Sequence, residues 1–138
     1  MSGVPDQLVV SQRVGSPIVQ LGQTGELFCD GDRAIVTVIR TDGSAEELLV
    51  LRDRRGRVFA AVNRCPHLGR ILDNAPVHGH TLTCSGHSRS FDLRTGRPTR
   101  RGTNPLPVVR AWIEEGQVFL RIGPAGGRTH WWRRLHAW

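Results

Sequence analysis

Apolar and β-branched residues in this chain fall in short runs separated by polar turns, and none has the length or period of a long helix. Residues 7–14 are β-prone, and a second run at 17–21 is followed by the breakers Gly22 and Gly25. Residues 34–40 are rich in Ile and Val and lie between Gly31 and Asp42-Gly43, which predicts a strand. Residues 47–52 predict the next strand, Asp53-Arg54-Arg55-Gly56 a turn, and 57–62 a third strand, together forming a meander. Further on, 81–83 and 88–92 are short strands, while 108–113 and 117–122 flank Glu114-Glu115-Gly116 as a hairpin. Many short strands joined by polar turns predict an all-β antiparallel sandwich or small barrel.

Length and composition narrow this further. With 138 residues, 38% hydrophobic and 22% charged, the chain suits one domain that can bury a core without disulfides. No apolar run approaches the ~20 residues that a helical membrane span needs. The first residues do not read as a secretory signal, so a cytoplasmic location is the expectation. The net charge of +7 comes from 19 arginines and no lysine, and it favours an acidic partner. A nucleic-acid partner is not expected, because no recognition helix accompanies the charge.

The candidate chemistry lies between the two halves. Cys65-Pro66-His67 and Cys84-Ser85-Gly86-His87 are two Cys/His pairs, spaced C-x-H and C-x-x-H and 16 residues apart. Thiolates and imidazoles at such spacing let each of two loops offer two ligands to a soft or borderline metal. Zinc also takes two Cys and two His, usually from like pairs rather than mixed ones. One Cys and one His from each loop is the ligand set of a [2Fe–2S] cluster whose irons carry two thiolates and two imidazoles. The third cysteine, Cys29, follows Leu27-Phe28 and is expected to be a small buried apolar residue. His78 and His80, flanking Gly79, are expected to be surface residues of a turn rather than ligands.

The string Cys65-Pro66-His67-Leu68-Gly69, then Cys84-x-x-His87, then Phe91-Asp92-Leu93 with Thr95-Gly96, resembles the Rieske-type [2Fe–2S] family. The resemblance implies a Rieske-like all-β fold over residues 7–123, with the cluster-binding part at about 63–107. Residues 1–6 would be loose, and 124–138 a Gly-rich linker and a Trp- and Arg-rich tail. It also implies that Cys65, His67, Cys84 and His87 hold the cluster and that the proline-bearing segment 102–107 covers it. Arg70 and Gly86 stand where respiratory-chain members carry a disulfide, and Arg89 and Phe91 where they place hydroxyl donors. With fewer hydrogen bonds to the sulfurs, the expected potential is at the low end of the Rieske range, near about −150 mV. This places the chain nearest the ferredoxin and oxygenase branch.

The function so implied is a one-electron carrier between a reductase and a terminal oxygenase, with no substrate of its own. The chain offers no two-His-one-carboxylate set for a mononuclear iron. Arg64, Arg70, Arg89, Arg94, Arg97, Arg100 and Arg101 are expected to form a positive rim that steers an acidic redox partner. Thr129 is placed to cap a short helix with Trp131, Leu135 and Trp138 on one face, covering the domain, docking a partner or meeting a membrane surface, of which the partner is preferred to the membrane. Two other functions remain open: an accessory subunit of a larger oxidoreductase, such as a nitrite-reductase-like enzyme, and a binding module with zinc or no metal.

Overall fold

Short runs of apolar and β-branched side chains become strands, ten among the described residues. The computed structural model describes residues 6–29, 31–84 and 89–122. Strand β1 (Asp6–Ser11) and β2 (Ile18–Gln23) are followed by a single helical turn, α1 (Thr24–Leu27). Then come β3 (Arg33–Ile39), β4 (Ala45–Arg52), β5 (Val58–Val62), β6 (Val77–His78), β7 (Thr81–Cys84) and β8 (Arg89–Asp92). The last described strands are β9 (Val108–Glu114) and β10 (Gln117–Arg121). Glu115 and Gly116 join them with φ of 50° and 76°, the left-handed pair that a two-residue hairpin of matching twist needs.

Seven strands form one sheet in the order β1-β3-β4-β5-β9-β10-β2, curled into a nearly closed barrel. Strands β6, β7 and β8 form a separate small sheet inserted between β5 and β9. Pairing is antiparallel except for β1 with β3, which run parallel. That pair departs from the expected antiparallel meander. The chain leaves β1, adds β2 at the far edge beside β10, turns through α1 and returns alongside β1 in the same direction.

Strands β3, β4 and β5 bury both faces. Val36, Val38, Leu48, Val50, Ala60 and Val62 point into the barrel interior with Val118 and Leu120. Their alternate neighbours Ile35, Leu49, Leu51 and Ala61 point outward into a second core, shared with Leu72, Leu82, Phe91, Leu93 and Leu106. A strand covered on both faces shows a continuous apolar run instead of alternation, as 48–51 does. The small sheet is therefore packed on the outside of the meander.

Three side chains lie where the sequence did not place them. Cys29 is exposed, because α1 turns Leu27 and Phe28 into the core and leaves the next residue outside. Arg40 and Glu46, which showed no pattern in the sequence, form an ion pair at 2.7 Å with both side chains 1% exposed. The tail at 124–138, with its expected helix from Thr129, lies outside the described residues.

Candidate metal centre

The first Cys/His loop leaves the end of β5, and Asn63 fixes its base. This residue is buried, and its side-chain amide donates to Glu47 Oε1 at 2.9 Å and Asp73 Oδ1 at 2.6 Å. Its Oδ1 accepts the Leu72 N–H at 3.0 Å, and its own N–H donates to the Glu47 carbonyl at 3.0 Å. One side chain thus ties β4, the loop and the segment beyond it. The sequence reading passed over Asn63, whose only signal is a polar residue directly after an apolar strand. Within the loop, the Cys65 N–H donates to the Arg70 carbonyl and the Gly69 N–H to the Cys65 carbonyl, both at 2.7 Å. Gly69 takes φ of 74°, which makes a turn this tight possible.

The second loop joins β7 to β8. These strands pair from Thr81↔Asp92 to Cys84↔Arg89, so Cys84 stands at the last rung before the connection. The connecting residues 85–88 lie outside the described residues, and His87 is among them. Thr83 and Ser90, one rung back, share a hydroxyl hydrogen bond of 2.8 Å across the strands.

A third segment, 102–107, packs against the same core. Its Leu106 is buried in the second core and donates its N–H to the Gly96 carbonyl at 2.8 Å. The Pro107 carbonyl accepts the Val62 N–H at 2.9 Å, and Arg89 Nη1 donates to Thr103 Oγ1 at 3.2 Å. Gly96 has φ of +81°, and a Cβ there would overlap the Leu106 carbonyl oxygen. Only glycine fits that crossing.

These three segments bring Cys65 and Cys84 together, each 1% exposed and set in the apolar second core. The two thiols are neighbours in that core. Burial, and then the neighbouring Cys84, push the Cys65 thiol up to about 11, while the N–H groups of His67 and Leu68 directed at its sulfur pull the other way. Two sulfurs in a dry pocket with backbone donors aimed at one of them suit a bound cation, which would displace the thiol protons and neutralise the thiolates. His67 is half-buried, two residues further along the same loop. Among the described residues no group of three or more His, Cys, Asp or Glu side chains gathers at one point, so the thiol pair is what they display. The donors present fit a thiolate- and imidazole-held iron–sulfur cluster.

Around this pair the surface is apolar and positive. Leu68 is 59% exposed and Ile71 57%, on either side of Gly69-Arg70. The positive rim is narrower than expected. Arg64, Arg70, Arg97, Arg100 and Arg101 are exposed, but Arg94 is paired with Asp92 at 3.1 Å and Arg89 is half-buried against Thr103. Of the two extra histidines, His78 is exposed as expected. His80 is instead half-buried, 5.0 Å from the Phe59 ring and 2.8 Å from Arg57 Nη2. It lies at the end of β7 away from Cys84.

Comparison with known proteins agrees with this geometry. Residues 17–110 match the model of the Rieske [2Fe-2S] domain family. The ferredoxin component of the p-cumate 2,3-dioxygenase system of Pseudomonas putida is 26% identical over 102 residues, covering 70% of this chain and 84% of that one. The ferredoxin of carbazole 1,9a-dioxygenase from Nocardioides aromaticivorans IC177 superposes with a TM-score of 0.62 at 22% identity, over 78% of this chain and 100% of that one. A ferredoxin chain in a complex of reduced oxygenase and oxidized ferredoxin in carbazole 1,9a-dioxygenase gives 0.61 at 21% identity, over 78% of this chain and 94% of that one. The structure of an NADH-dependent nitrite reductase small subunit from Mycobacterium tuberculosis gives 0.61 at 19% identity, over 78% of this chain and 96% of that one. At these identities the structural likenesses carry the fold. The family match spans most of the chain and both cysteines of the buried pair, and the chain belongs to the Rieske [2Fe-2S] domain family.

Proposed function

We propose that this chain is the ferredoxin component of an oxygenase system, carrying single electrons from a reductase to a terminal oxygenase in the cytoplasm. The observation that carries the reading is the buried Cys65–Cys84 pair, set in one core with Leu106 of the 102–107 segment. Cys65 and Cys84 would hold one iron, and His67 and His87 the other. Bound there, the cluster supplies a one-electron couple at a potential near the low end of its class. The chain's own residues exclude water around the sulfurs through Leu72, Leu82, Phe91 and Leu106, all buried in the second core. The N–H groups of His67 and Leu68 hold donors toward the Cys65 sulfur. Leu68 and Ile71 give a partner an apolar contact beside His67, and Arg64, Arg70, Arg100 and Arg101 give an acidic partner its orientation. The relative from the p-cumate dioxygenase system supports the choice of an oxygenase over a larger oxidoreductase that would hold this chain as an accessory subunit.

The test is a visible and EPR spectrum of the anaerobically purified protein before and after dithionite, followed by a redox titration. The expected result is a red-brown protein whose reduced form shows the low average g-value of a His-ligated [2Fe–2S] centre. Reduced protein should then pass its electron to an acidic oxygenase at a rate that falls with ionic strength. A colourless chain carrying one zinc, or none after reconstitution, overturns the reading. A chain that self-associates in gel filtration and passes no electron to a free oxygenase favours the accessory subunit.

A further inference from the structure

At the end of the small sheet away from Cys84 lies a cleft of about 710 Å³, formed by the β4–β5 turn, the β6–β7 turn and the start of β3. Five arginines line it (33, 52, 54, 55 and 57) against two aspartates (32 and 53). The aspartates are already engaged. Asp53 accepts the backbone N–H groups of Arg55 and Arg57 and the Arg57 guanidinium at 3.0 Å, and Asp32 accepts Arg52 at 3.2 Å. Arg33 is held by the Asp73 carbonyl at 2.8 Å. Arg54 and Arg55, on the exposed tip of the turn, have no side-chain hydrogen bond or ion pair among the described residues. Arg54 and Arg55 thus place two adjacent guanidiniums at the mouth of the cleft with no carboxylate paired to them among the described residues, beside an Arg57 already compensated by Asp53.

The floor has a different character. Phe59 and His80 lie with ring centroids 5.0 Å apart and planes tilted by 58°, with half-buried Val77 beside them and buried Leu51 and Leu93 beneath. Cys65, His67 and Cys84 are not among the described residues that line this cleft. A bare phosphate would fill little of the volume and would leave that floor uncovered. Guanidinium forks suit phosphate oxygens, and a partly exposed aromatic pair suits a flat ring.

We propose that this cleft is a second binding site, for a small phosphorylated organic anion of nucleotide size. Its phosphates lie among Arg54, Arg55 and Arg57, and its ring rests on Phe59 and His80. The site does not depend on the electron-carrier reading, since no cluster ligand takes part. It needs no covalent step.

The probe is ADP, titrated calorimetrically into the full cluster-loaded chain at low salt, with adenosine and inorganic phosphate as partial ligands. One ADP per chain should bind, with adenosine and phosphate each at least tenfold weaker. The double variant Arg54→Ser/Arg55→Ser should weaken ADP at least tenfold while the visible spectrum stays unchanged. The double variant Arg100→Ser/Arg101→Ser, which removes the same charge from another exposed segment, should leave the affinity within twofold. Absence of saturable ADP binding up to millimolar concentration overturns the proposal. So does an equal loss in both double variants, which would mark a diffuse charge effect, and so does phosphate binding as tightly as ADP.

Discussion

Replacing Gly96 by alanine tests whether the 102–107 segment is seated by one close backbone crossing. The residue has φ of +81°, and a left-handed alanine costs about 1–2 kcal/mol. A second cost is specific to this place. The new methyl would overlap the Leu106 carbonyl oxygen and lie 3.2 Å from its carbon, so the two strands of backbone must separate by on the order of 1 Å. Separation breaks the 2.8 Å hydrogen bond from the Leu106 N–H to the Gly96 carbonyl, and an orphaned buried N–H costs about 1–3 kcal/mol. Gly102 is the control. It has almost the same φ, +84°, and nothing within 4 Å of its would-be Cβ, so Gly102→Ala incurs only the conformational cost. The expected gap between the two variants is therefore about 1–3 kcal/mol. For a chain of this size that corresponds to a difference in melting temperature of roughly 4–12 °C. Thermal unfolding of the cluster-loaded proteins, followed at the visible band and by far-ultraviolet circular dichroism, gives both numbers. Gly96→Ala should also bleach earlier than it unfolds, because Leu106 leaves the sulfur-bearing core. Equal melting temperatures for the two variants would refute the crossing as the seat of the lid.

Three other perturbations probe the supports of the site and the barrel. Asn63→Ala leaves the Leu72 N–H without its acceptor and frees Glu47 and Asp73, so chemical denaturation should show a loss of about 2–4 kcal/mol. The same variant should release iron to a chelator faster than wild type at a temperature where both remain folded. Glu46→Ala takes the paired carboxylate from the buried Arg40 guanidinium and should cost about 3–5 kcal/mol, whereas the pair Arg40→Met/Glu46→Leu should recover most of it. If the double variant is as unstable as the single one, shape rather than charge governs that end of the barrel. Asp92 accepts the Arg94 side chain and backbone N–H, which hold its carboxyl below the usual range. Its contribution is therefore complete above the ordinary carboxylate pKa of about 3.9 and lost as pH falls through the lower folded value. Urea midpoints measured from pH 2 to 7 should fall less steeply at the acid end for Asp92→Asn than for wild type.

What could be read from the sequence and what could not divide along one physical line. The Cys/His pairs were legible because a ligand loop is local: two donors within four residues, a proline and a glycine announce themselves without knowledge of the fold. The strands were legible because their period is local too. Facing is not local. The run at 48–51 shows four apolar residues in succession, and nothing in it says that Leu48 and Val50 face the barrel while Leu49 and Leu51 face the small sheet. That assignment places the two cysteines in a dry core, so the environment of the candidate ligands was beyond a sequence reading although their identity was not. The same limit explains Cys29, which follows two buried residues yet lies outside because one helical turn ends just before it.

Charge shows the limit most sharply. Along the chain the arginines look interchangeable, and seven of them near the cluster loops were expected to act as one rim. In the fold their roles separate according to what each side chain meets. Arg94 is neutralised by Asp92, Arg89 ties a strand to the 102–107 segment, and only the remainder stays exposed. Meanwhile five others, which carried no motif, converge on a cleft because two hairpin turns distant in sequence end at the same place. A guanidinium's function depends on the nearest carboxylate, carbonyl or open space, and those neighbours come from tertiary pairing. Steering and anion binding should accordingly separate in experiment. Loss of Arg100 and Arg101 should slow electron transfer at low salt without touching the cleft, and loss of Arg54 and Arg55 should do the reverse.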